Sequence, residues 1–151
     1  MKYFLIGYMA CGKSRKGREM ARDQNIHFID LDEYIVSREK RTIPQIFASD
    51  GEERFRKLER RYLEEVCELY ENFVMATGGG TPCFFDNMEY MNRQGKTIFL
   101  NTAKEVIVER LKRGRHRRPL VSELNDAEIL SFVEEHLRQR MVYYKMAQEE
   151  E

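Results

Sequence analysis

Short apolar runs alternate along the chain with longer stretches in which apolar residues recur every three or four positions. The runs Tyr3–Ile6, Ile26–Leu31, Phe73–Ala76 and Thr97–Leu100 are rich in Ile, Phe or Val and border turn residues, among them Gly7, Gly78–Gly80 and Gly95. They predict four strands. Between them the spacing predicts helices from Ser14 to near Asp23, from Glu52 to near Tyr70, and over Asn87–Asn92, Ala103–Lys112 and Asp126–Ala147. In the second of these, Phe55, Leu58, Tyr62, Val66 and Leu69 fall on one face, and Asp50 with Glu53 reads as an N-cap and its partner. Another helix begins near Glu33, where Asp32 is a candidate cap. Strands alternating with helices imply parallel pairing, hence an α/β three-layer fold. No repeat, linker or composition shift divides residues 1–151, so one domain is expected.

Composition narrows the classes. The chain of 151 residues is 42% hydrophobic, too apolar for disorder, and its 3 prolines and 9 glycines are too few for low complexity. Lys and Arg number 26 against 26 Asp and Glu, so net charge gives no reason to expect a nucleic-acid or membrane-surface partner. No apolar run reaches the length of a membrane span, and the N-terminal apolar stretch is too short for a signal peptide. Cys11, Cys67 and Cys83 are odd in number and lack metal-ligand spacing. They read as reduced thiols, and a cytoplasmic location is expected.

The first strand runs into Gly7-Tyr8-Met9-Ala10-Cys11-Gly12-Lys13-Ser14, which fits G-x-x-x-x-G-K-[ST] and is followed by a helix. Such a loop turns its N–H groups inward as an anion nest at the positive end of the helix. Lys13 reaches phosphate oxygens, and the Ser14 hydroxyl is a ligand for Mg²⁺. Lys13 lies outside any core the pattern predicts. Asp30 and Asp32 close the second strand, where ligands sit in open parallel sheets. Two apart on a strand, they share a face. One carboxylate suits the Mg²⁺ water shell; the other suits orienting or deprotonating a hydroxyl. Between Arg110 and Arg118 stand six Lys or Arg and no acid. Opposite a triphosphate that block makes a cationic cover; without one it is a solvated charge run.

Gly7–Ser14, Asp30-Leu31-Asp32, Gly51-Glu52-Glu53-Arg54-Phe55-Arg56 with Glu59, Thr77-Gly78-Gly79-Gly80, Arg118-Pro119-Leu120, and Arg140 with Tyr144 occur in the order and spacing of shikimate kinases. The chain resembles that family over nearly its whole length. The resemblance implies that ATP phosphorylates the 3-hydroxyl of shikimate in chorismate biosynthesis. Residue by residue, it implies that Asp32 binds ring hydroxyls and acts as base. Arg56 and Arg140 clamp the carboxylate, and Glu59 holds Arg56. Gly78, Gly79 and Gly80 pass close to the ring. Gly7, Ala10, Cys11, Gly12, Lys13, Ser14 and Arg15 bind ATP. Ser14 and Asp30 belong to the Mg²⁺ environment, and Lys13, Asp32 and Arg118 carry catalysis. Substrate-binding helices then span about 32–70, and Arg118 closes from a mobile lid at about 112–125. No nucleic acid or membrane partner is implied, and a monomer is expected.

The chain departs from the family in places. The family has glycine and a small residue before Gly12, and threonine at Arg15, so side-chain volume here crowds the nucleotide. Lys16 and Gln24 occupy positions the family makes apolar, which weakens the inner face of the first helix. The chain closes with KMAQEEE, where family members continue into a fifth strand, whose following turn contacts adenine, and a final helix. The expected sheet therefore has four strands in the order 2-3-1-4, with the fifth missing. Two other readings stay open: a P-loop kinase of another small metabolite, and a nucleotide-binding module with weakened catalysis.

Overall fold

The computed structural model describes residues 1–151. Its elements in chain order are β1 (Lys2–Ile6), α1 (Lys13–Gln24), β2 (His27–Asp30), α2 (Leu31–Glu39), α3 (Ile43–Leu69), β3 (Phe73–Ala76), α4 (Asn87–Gln94), β4 (Lys96–Phe99), α5 (Lys104–Arg113), α6 (Asp126–Tyr144) and β5 (Glu149–Glu150). They form a three-layer α/β fold around one parallel sheet of order β2-β3-β1-β4-β5. The central strands are covered on both faces, which is why they read as continuous apolar runs and not as alternating ones. Phe4, Leu5 and Ile6 of β1 and Phe73, Val74 and Met75 of β3 are fully buried.

The fifth strand is present, contrary to expectation. Glu149 pairs with Ile98 and Glu150 with Phe99. Two glutamates have little strand propensity. The strand exists because the edge of β4 offers unpaired backbone groups, and the chain returns there directly after α6. The Glu151 N–H donates to Phe99 O at 2.8 Å, and the Asn101 N–H donates to Glu151 O at 2.8 Å. Three lysines meet the acidic end: Lys96 on Glu149 at 3.0 Å, Lys145 on Glu150 at 2.9 Å and Lys16 on Glu151 at 3.2 Å. Lys16 thus has a partner, and Gln24 is solvent-exposed, so neither weakens the buried face of α1, which consists of Lys13, Gly17 and Ala21.

Two helical boundaries also differ. The helix expected from Glu52 starts nine residues earlier, at Ile43, and bends at Gly51, whose φ of 84° is left-handed. Its cap is Thr42, which accepts from the Gln45 N–H while the Gln45 side chain accepts from the Thr42 N–H. Asp50 caps nothing and instead binds Arg41 at 2.7 Å. Leu69, expected on the buried face, is 60% exposed. Further on, α6 ends at Tyr144, and residues 145–148 turn the chain towards β5.

Candidate active site

The loop Gly7–Ser14 joins β1 to α1. Gly12 has a φ of 104°, where a side chain is strained. At Gly7 a Cβ would lie 2.7 Å from Cys11 Sγ and 3.0 Å from Leu100 O, so only glycine fits. Ala10 adopts a φ of 64° without being glycine. The loop is braced from outside, with the Thr102 hydroxyl donating to Cys11 O at 2.7 Å and Arg110 donating to Ala10 O at 2.8 Å. Helix α1 opens at Lys13, which turns its free N–H groups and positive dipole end to the loop. The Lys13 ammonium is buried, not outside the core as the sequence pattern implied. It donates to Gly7 O at 2.5 Å and Tyr8 O at 2.9 Å, and burial lowers its pKa. Of the loop residues that depart from the family, Cys11 is buried, the Arg15 side chain is 86% exposed beside Glu19, and Ala10 and Arg15 both line the phosphate cavity.

Asp30 ends β2, while Asp32 stands in the first turn of α2. The two carboxylates therefore do not share a strand face. Asp30, not Asp32, caps α2, accepting from the Glu33 N–H at 3.1 Å with one oxygen. Its other oxygen accepts from the Ser14 hydroxyl at 3.1 Å. This leaves two hard oxygen donors together at the loop. Asp32 is free for other work. Burial pushes its carboxyl up to about 6, Glu59 and Asp30 push the same way, and Lys13 and Arg56 oppose them. A carboxylate with a pKa near neutrality suits a general base.

After β3 comes the turn Gly78-Gly79-Gly80, and each glycine makes room for a different side chain. A Cβ on Gly78 would lie 3.3 Å from both Asp32 and Glu59; one on Gly79, 3.1 Å from Arg140; one on Gly80, 2.7 Å from Arg56. Arg56 donates to Glu59 at 3.0 Å and to Glu52 at 3.2 Å, and its guanidinium lies 4.2 Å from the centre of the Phe84 ring. Glu59 is buried at 1% exposure, and desolvation raises its pKa against the pull of Arg56. On α6, His136, Arg140 and Tyr144 follow at one-turn intervals. The Tyr8 hydroxyl meets His136 Nδ1 at 2.9 Å, and the Arg140 guanidinium lies 5.8 Å from the Tyr8 ring centre. Burial and Arg140 push His136 down to about 4, so it is neutral near pH 7. Tyr144 donates to Gly79 O at 2.6 Å.

These residues enclose two adjoining cavities. The larger, about 520 Å³, is lined by Gly12–Arg15, Asp30, Asp32, Arg110 and Arg118 among others. The smaller, about 200 Å³, is lined by Asp32, Arg56, Glu59, Gly78–Gly80, His136 and Arg140 among others. Met9, Asp32, Gly78 and Gly79 belong to both walls. Arg110, Phe84, Tyr8 and His136 were not singled out in the sequence: Arg110 was one of several cations in the basic run, Tyr8 stood at a variable position of the loop motif, and nothing local marks Phe84 or His136. The basic run is tied down more than its composition suggested. Arg115 donates to Leu124 O at 3.0 Å and pairs with Asp126, just beyond the expected lid, and Val121 is fully buried.

One anion cavity on a phosphate loop, joined through a single carboxylate to a smaller cavity with two arginines, is the layout of a P-loop kinase acting on a small anionic molecule. More narrowly, the chain belongs to the shikimate kinase family, whose profile matches residues 9–150. It is 47% identical to a shikimate kinase of Phocaeicola vulgatus over 97% of this chain and 83% of that protein. The crystal structure of a Bacteroides thetaiotaomicron shikimate kinase superposes with a TM-score of 0.95 at 45% identity, covering 99% of this chain and 85% of that one. A shikimate kinase from Acinetobacter baumannii in complex with shikimate gives 0.87 at 30% identity, covering 99% and 82%.

Proposed function

We propose that the protein transfers the γ-phosphoryl group of ATP to the 3-hydroxyl of shikimate, giving ADP and shikimate 3-phosphate. The observation that carries this reading is the position of Asp32, on the wall between the phosphate cavity and the arginine-lined cavity. A hydroxyl there can lose its proton to Asp32 while its oxygen faces the terminal phosphate. The loop N–H groups, Lys13 and Arg118 then meet the charge on the transferring group. Arg56 and Arg140 take the planar carboxylate as guanidinium forks. Ser14 and Asp30 would hold Mg²⁺, which would supply positive charge against the phosphates when bound. The segment 112–125 acts as the lid. The reading includes a monomer working in the cytoplasm, in keeping with three free thiols and no helix long and apolar enough to cross a membrane.

The test is ADP release measured with and without shikimate. The reading expects turnover that depends on shikimate and saturates in it. ATP hydrolysis indifferent to shikimate would favour a kinase of another metabolite, and no turnover with intact ATP binding would favour a weakened nucleotide-binding module.

A further inference from the structure

Behind Arg56 lies a hydrogen-bond relay that none of the proposed substrate contacts requires. Thr81 is fully buried in the turn that follows Gly80, and its hydroxyl is used twice. It accepts from the Gly78 N–H at 2.9 Å and donates to Glu59 Oε2 at 2.7 Å. The other oxygen of Glu59 accepts from Arg56 Nη1 at 3.0 Å. Thr81 itself is pinned, because the Asn87 amide donates to its carbonyl at 2.9 Å. The relay therefore runs from a fixed backbone turn, through one hydroxyl and one buried carboxylate, to the guanidinium that faces the smaller cavity.

We infer that Thr81 is the positioning residue of the carboxylate clamp: its hydroxyl fixes the rotation of the Glu59 carboxylate, and so the direction in which Arg56 presents its fork. The proposal rests on the reading of Arg56 as a substrate-carboxylate ligand. Its physical basis is the uneven cost of buried polar groups. Glu59 is a carboxylate at 1% exposure with one donor on each oxygen. Removing the donor on Oε2 leaves a desolvated charge that must rotate or take up a proton. Either response loosens the bidentate geometry at Arg56, since a fork holds a carboxylate well only when its own plane is fixed. The same hydroxyl also holds the Gly78 N–H. A Cβ on Gly78 would come within 3.0 Å of the Thr81 oxygen, so the glycine is part of the same device.

The experiment compares wild type, Thr81→Val, Thr81→Ser and Arg56→Lys, with shikimate and with its methyl ester, which lacks the carboxylate charge. Valine keeps the shape and removes the hydroxyl; serine keeps the hydroxyl. Thr81→Val is expected to raise KM for shikimate about tenfold, with kcat and KM for ATP changed less than about threefold. Thr81→Ser should restore most of the loss. Against the methyl ester the Thr81→Val effect should shrink to within about twofold, because the interaction it tunes is gone. An Arg56→Lys effect on shikimate with wild-type behaviour in Thr81→Val overturns the proposal and leaves the clamp standing. So does equal weakening of shikimate and ester, which would make Thr81 a packing residue. No effect from Arg56→Lys overturns the clamp itself and the proposal with it. Thermal melts report folding; should valine prevent it, Thr81→Ala carries the same comparison.

Discussion

Lys13 and Asp32 are both buried where desolvation disfavours their charged forms. Lys13 sits buried with its ammonium turned onto two loop carbonyls. Lys13→Ala should lower kcat by about a hundredfold, the usual effect of removing one preorganised charge contact, in the shikimate-dependent assay; turnover within about threefold of wild type would remove Lys13 from the phosphates. Asp32 ionises near 6 in the folded protein but near 4 in an unfolded chain. Its ionisation therefore costs folded stability as pH rises from about 4 to about 6, up to about 3 kcal/mol at about 1.4 per pH unit. Below that window the cost is absent; above it, the cost is complete. Asp32→Asn should accordingly melt higher than wild type at pH 7.5 by about 4 °C or more, match it at pH 4, and lose about a hundredfold or more in kcat. Equal melting shifts at both pH values would show that Asp32 is not desolvated. Ala10 carries a third strain, its left-handed φ of 64°. Ala10→Gly should stabilise the protein by about 1 kcal/mol in chemical denaturation; a loss of stability would mean that the methyl group packs usefully. The phosphate loop was fully legible in the sequence, since its residues are contiguous and its chemistry is local. Arg56 and Glu59 were legible only through their spacing within a longer series. Phe84, Thr81 and His136 were not, because what makes them matter is a partner 28, 22 or 128 residues away.

At the scale of elements, the pattern located strands better than helix starts. The run Phe73–Ala76 is a strand end to end because it is buried on both faces and stopped by glycine. The start of α3 was misread because an acidic pair near Glu52 looked like a cap, while Thr42, Pro44 and Gln45 formed a complete N-terminal signal ten residues earlier. Strand β5 was illegible for a different reason: its partners are backbone groups of β4, and no side-chain pattern announces an edge filled by glutamates. The basic segment after α5 carries its own prediction. Arg118 lines the phosphate cavity, while Arg115 and Val121 anchor the segment on either side of it. Bound phosphates should draw Arg118 inward and exclude water. Hydrogen exchange across residues 110–125 should slow when a non-hydrolysable ATP analogue and shikimate are both present. Equal exchange in both states, or an Arg118→Ala variant with unchanged kcat, would leave the segment a fixed cationic surface.

Across the whole molecule, the site is a product of topology. Strand order β2-β3-β1-β4-β5 sets the ends of β2, β1 and β3 side by side, so Asp30, the phosphate loop and the glycine turn emerge at one rim. Helices α3 and α6 then bring Arg56 and Arg140 over that rim from opposite parts of the chain. The shared wall between the two cavities is the result, and the central claim is that a phosphoryl group crosses it. That claim is tested most directly by incubating the protein with ATP and shikimate and locating the phosphate in the product by phosphorus and proton NMR. The account predicts one phosphate on the 3-hydroxyl for each ADP formed, and none with Asp32→Asn over the same time. Phosphate on another hydroxyl, or ADP accompanied only by inorganic phosphate, would contradict it.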